Sequence, residues 1–167
     1  MYVVHLEYNQ LIRLQLARLL GVEQGRLGPY QYLETDVPAD VRRLIHNHQV
    51  QLVVLDVALN PAWDNRYLLS VLRHLVVGEE LPGGVRLADC AAHAVCVLAF
   101  QHHTPSALLT SYLDYTGGDL RISEEKIREV FHVKVVFHKT GRGMEQCAHW
   151  MRETLRLGPA HSSLPAR

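Results

Sequence analysis

Short apolar runs alternate with stretches in which apolar residues recur every three or four positions, and this alternation continues along most of the chain. Runs of about four to eight apolar residues predict strands, and the three-to-four spacing predicts amphipathic helices. Alternating strands and helices predict βα units and a parallel sheet. Tyr2 to Leu6 predicts the first strand. Gln10 to Leu20 predicts a helix, with Asn9 as its cap, Ile12, Leu16, Leu19 and Leu20 inward, and Gly21 at its exit. Val22 to Pro29 reads as a loop and Tyr30 to Leu33 as a short strand near a sheet edge. Pro38 opens a second helix whose apolar stripe is Val41, Leu44 and Ile45. Gln51 to Leu59 is the most strand-like stretch. Its Leu-Val-Val-Leu run is apolar on both faces, as expected where helices cover a sheet from both sides.

The second half carries the same alternation. Asp64 to Val76 predicts a helix facing inward through Leu68, Val71, Leu72 and Leu75, with Asp64 as its cap. Gly78 to Asp89, with Pro82, Gly83 and Gly84, predicts a long surface loop. Ala94 to Phe100 reads as a buried strand and Pro105 to Tyr115 as a helix. Gly117 and Gly118 break the chain, and Ser123 caps a short helix to Phe131. Val133 to His138 is the last predicted strand. A closing helix, Met144 to Leu157, has Met144, Cys147, Trp150, Met151 and Leu155 at helical spacing. Residues 1–157 thus form one expected domain, and 158–167 an expected disordered tail.

Composition narrows the class. The 167 residues are 48% hydrophobic and 20% charged, which is globular and long enough for one full core. Lys+Arg and Asp+Glu both total 17, so no net charge draws the chain to nucleic acid or to an anionic membrane. No apolar run approaches the roughly 20 residues that span a bilayer, and the N-terminus lacks the pattern of a secretory signal. Cys90, Cys96 and Cys147 are odd in number and form no framework, which predicts reduced thiols and a cytoplasmic protein. Cys90-x-x-His93 has a metal-like spacing, but no second pair with zinc-site spacing accompanies it.

In an open parallel sheet, ligands and reactive groups gather beyond the carboxyl ends of the strands. Glu7, Asp56 and Lys139 fall there. Two carboxylates can hold Mg2+ through oxygen, and a cation with a lysine can make one of them a phosphoryl acceptor. At these residues the chain resembles the CheY-like receiver domains of bacterial response regulators. VVHLEYNQLIRLQLARLL is similar to the opening strand, acidic pair and first helix, LVVLDVALNPAWDN to the phosphoacceptor segment, and VFHKT to the segment bearing the lysine. The resemblance implies a doubly wound, flavodoxin-like α/β fold, with a five-stranded parallel sheet and helices on both faces. It also implies Asp56 as phosphoacceptor, Lys139 as its catalytic partner, and Glu7 and Asp56 as ligands of Mg2+. The implied partners are other signalling proteins, among them a sensor histidine kinase, or a second copy in a homodimer.

Departures from the pattern qualify this. Tyr8 stands where a second acid is usual, and Thr140 where a proline follows the lysine. On the predicted strand 94–100, Ala99 replaces the usual Thr or Ser, and His102 and His103, which follow that strand, are expected along the same edge as Asp56. An alternative register takes DLRIS as the last strand and leaves no lysine. A degenerate receiver, acting mainly through protein-protein contact, is the expected function. A small metal-dependent α/β hydrolase using Glu7 and Asp56 is the alternative.

Overall fold

The computed structural model describes residues 1–59, 65–86, 90–111 and 123–158, with the side chains of 65–69 and 76 left aside. Its elements run β1 (Tyr2–Leu6), α1 (Gln10–Leu20), β2 (Arg26–Leu27), β3 (Tyr30–Thr35), α2 (Pro38–His46), β4 (Val50–Leu55), α3 (Asn65–Val77), α4 (Ala91–Gln101), β5 (Ser106–Thr110), α5 (Glu124–Phe131), β6 (Val135–His138) and α6 (Gly141–Thr154). The sheet order is β2-β3-β1-β4-β5-β6. Every pairing is parallel except the two-residue β2, which turns back antiparallel onto β3. The five parallel strands alone give the flavodoxin-like order. The sixth strand lies inside the stretch from Val22 to Pro29 that was expected to be loop.

Alternation along the strands divides the core between two faces. Val4, Leu6, Val53, Leu55, Leu108 and Val136 point to the face covered by α2, α4 and α5. Val3, Leu52, Val54, Ala107, Leu109 and Phe137 point to the face covered by α1 and α6. The helix ends follow local chemistry. Asn9 Oδ1 accepts from Leu11 N, Gly21 leaves α1 in the left-handed region at φ 71°, and Ser123 Oγ accepts from Lys126 N at the start of α5.

Two expectations for the middle of the chain are overturned. Residues 94–100, expected as a strand, lie within α4. The stretch expected as a helix, 105–115, contains β5. Ala92, Val95, Cys96 and Ala99 are the buried residues of α4, spaced three, one and three apart as on one helix face. Because α4 packs against α2, α5 and β5, Ala91, Ala94, Val97 and Leu98 are half-buried and apolar too, and Phe100 is apolar though exposed, which blurs the period. All five residues of β5, an interior strand between β4 and β6, are buried, so it shows no alternation. The crossover from β4 to β5 therefore holds two helices, α3 and α4. Residues 78–86 carry no helix or strand, in keeping with the expected loop. Pro61, Asp64, Asp89, Tyr112, Gly117, Gly118, most of DLRIS and the tail from 159 onward lie outside the described residues.

Candidate functional site

The chain leaves β1 for β3 on one side and crosses to β4 on the other, so the crevice between the ends of β1 and β4 is the topological switch point. Two main-chain bonds extend the ladder there: Glu7 N donates to the Thr35 carbonyl at 2.9 Å, and Asp56 N to the Leu6 carbonyl at 3.1 Å. They bring Glu7 and Asp56 together at 0% and 2% exposure. Lys139 follows β6, where its amide donates to the Thr110 carbonyl at 3.2 Å. Its Nζ lies 2.6 Å from Asp56 Oδ2 and 2.5 Å from Glu7 Oε2. The three residues expected from the sequence therefore meet as one buried ion cluster.

The surrounding turns hold each group. Asn9 N donates to Glu7 Oε1 at 2.9 Å, which ties the carboxylate to the start of α1. Thr140 Oγ1 accepts from Gly143 N at 3.0 Å and starts α6 directly after the lysine. Gly143 packs so closely on the His138 carbonyl that any Cβ there would overlap it. That contact fixes the turn carrying Lys139. Asp56 Oδ1 is buried with no hydrogen-bond partner, and Glu7 Oε2 receives no well-aligned hydrogen bond despite its close ion pair.

The electrostatics follow from burial. Desolvation, then the charge of Asp56, raises the Glu7 pKa, and Lys139 only partly opposes them. Burial alone would lower the Lys139 pKa. The Asp56 and Glu7 carboxylates outweigh it, and the net shift is upward. His5, two residues before Glu7, is fully buried and neither ring nitrogen has a hydrogen-bond partner. Desolvation, with Lys139 and Arg13 adding to it, pushes its pKa down to about 3.

Among the described residues, no group of three or more His, Cys, Asp or Glu side chains is placed to hold a metal ion. A divalent cation would thus rest on Glu7 and Asp56, with main-chain oxygens and water completing an oxygen shell. The orphaned Asp56 Oδ1 fits such a ligand. Cys90 is buried and the His93 ring nitrogen Nε2 lies 3.2 Å from the Val130 carbonyl, so that spacing serves packing. Cys90, Cys96 and Cys147 are free, and burial raises the pKa of each thiol.

One expected loss is corrected. Ala99 is on α4 and does not end a strand. The fourth parallel strand is β5, and it ends in Thr110, fully buried and paired in register with His138 beside Lys139. A hydroxyl thus stands at the strand end where the sequence reading found an alanine. His102 and His103, expected near Asp56, follow α4 at the opposite end of the sheet. The residues missed were Thr110 and His5. Thr110 had a signal, the compact run SALLT after Pro105, whereas nothing marked His5 within its apolar run.

No protein-family model and no curated protein matches the sequence. Solved structures do match. The signal receiver domain of a protein described as a Luxo repressor, from Vibrio parahaemolyticus, has a TM-score of 0.52 at 13% identity, with 93% of this chain and 90% of that one covered. A de novo designed Rossmann 2x3 protein reaches 0.50 at 11% identity, covering 99% of this chain and 98% of its own. The signal receiver domain of an HD domain-containing protein from Pseudomonas fluorescens Pf-5 stands at 0.49 and 15%, with 93% and 94% covered. Among the described residues no helix is long and apolar enough to cross a membrane. The chain has the doubly wound fold of signal receiver domains, and the designed Rossmann protein shares that fold.

Proposed function

We propose that this chain is a receiver-type signalling module in which Asp56 accepts a phosphoryl group slowly and protein-protein contact carries the output. The observation that carries the reading is the Lys139 ammonium set between Glu7 and Asp56 at the switch point of the sheet. Thr110 at the end of β5 adds the hydroxyl that a receiver uses there. In the transfer, the P–N bond of a donor phosphohistidine breaks as an Asp56 oxygen bonds to phosphorus, and the imidazole leaves. Lys139 then pairs with the new phosphoryl oxygens.

Two features slow the reaction. Tyr8 is 40% exposed and supplies no second carboxylate, so Mg2+ binding rests on Glu7 and Asp56. Both of those are buried, so the site must open to admit a donor. Mg2+, when bound, would neutralise charge on the transferring group. No observation at the site favours the metal-dependent hydrolase over this reading.

Beryllofluoride with Mg2+, followed through the amide NMR spectrum, tests the proposal. Shifts confined to the ends of β1, β4, β5 and β6, absent in Asp56→Asn, are the expected result. An unchanged spectrum at saturating beryllofluoride would remove Asp56 as an acceptor and leave a purely protein-binding module.

A further inference from the structure

The end of the sheet opposite Asp56 gathers histidines from successive αβ turns. His46 is the last residue of α2, and His48 follows it in the left-handed region at φ 54°. His102 caps α4, and His103 follows it at φ 55°. The His48 and His102 ring centres are 4.9 Å apart, with their planes at 55°. His46 lies 5.8 Å from His102. His46 and His48 are exposed and His102 is half-buried, so the rings are open to solvent yet carried on two separate helices.

Ring centres roughly 5 Å apart are what two imidazoles adopt on one tetrahedral ion with bonds of about 2.0–2.1 Å. The carbonyl ends of α2 and α4 converge on the same place, and the negative ends of their dipoles favour a cation. Imidazole nitrogen selects late first-row ions over Mg2+, so this chemistry is distinct from that of Asp56. We infer that His48 and His102 form a binding site for Zn2+ or a similar late first-row divalent ion, with His46 beside them and water completing the coordination. Among the described residues no three such side chains are placed to hold a metal ion together, so the inferred site rests on two histidine ligands and water. When bound, the ion ties the turn before β4 to the turn before β5.

The test is a Zn2+ titration of the whole chain, read from the histidine ring resonances, with Mg2+ as the control ion. Saturating shifts at His48 and His102 with one ion per chain are expected. Binding should weaken at least about tenfold in His102→Gln and in His48→Asn, since even the loss of a partner outside the ligand shell commonly costs that much. It should be unchanged in Asp56→Asn and in His149→Gln, which alters an exposed histidine on α6. Shifts spread over all exposed histidines without saturation would mean adventitious binding and overturn the site. Equal affinity in His102→Gln would overturn it as well.

Discussion

The two ends of the sheet put charge to opposite uses. At the carboxyl end, Glu7, Asp56 and Lys139 are buried within 2.5–2.6 Å contacts, and each depends on the others to be tolerated there. At the amino end, His46 and His48 are exposed at the end of α2 and the turn after it, and the ring of the half-buried His102 packs against theirs. Burial makes a charge cluster cooperative, because removing one member leaves the rest unpaired in a medium that solvates them poorly. Exposure keeps its members independent.

Lys139→Met should break the contrast most sharply. Two adjacent buried carboxylates would lose their counter-ion, at about 3–5 kcal/mol near neutral pH. Urea unfolding should find much of that loss recovered in acid. The Glu7 pKa is raised in the fold, so its burial is best tolerated when it is protonated and is penalised as pH rises through that raised value.

Gly143→Ala comes next, at about 1–3 kcal/mol, because the new methyl must displace the His138 carbonyl and the turn bearing Lys139. Thermal unfolding measures the loss, and the Lys139 contact should be disturbed with it. His5→Leu should stabilise by about 1–3 kcal/mol, since it removes a buried ring with no hydrogen-bond partners. The sign follows from its folded pKa of about 3, below the ordinary 6.5. The unfolded chain takes up the proton first, so stability from this group is complete above pH 6.5 and declines as pH falls toward 3. The wild-type chain should therefore lose stability in mild acid more steeply than His5→Leu. At the other end, His102→Gln without metal should change stability by less than about 0.5 kcal/mol.

The sequence made the carboxyl end legible because its groups sit directly after strands whose patterns are plain. Leu52 to Leu55 is a continuous apolar run ended by Asp56, and Val135 to Phe137 leads straight to Lys139. The middle of the chain misled for a physical reason. The segment AVCVLAF combines β-branched residues with a helix covered on several sides, so its three-to-four period is masked by general apolarity. Its neighbours Ala91 and Ala92 and the eleven-residue length were the signals for a helix. Placing that strand eleven residues early displaced the hydroxyl from Thr110 to Ala99, and it put His102 and His103 at the wrong end of the sheet. With Thr110 at the end of β5, the departures from the receiver pattern are Tyr8 and Thr140.

The central claim is that the buried cluster can still receive a phosphoryl group at Asp56. Incubation with a small phosphoryl donor such as phosphoramidate and Mg2+, followed by intact-mass measurement, tests it directly. The account predicts slow addition of one phosphoryl group per chain, acid-stable and base-labile as an acyl phosphate is, and absent from Asp56→Asn. Addition that persists at equal rate in Asp56→Asn, or no addition after prolonged incubation of the folded chain, would contradict it.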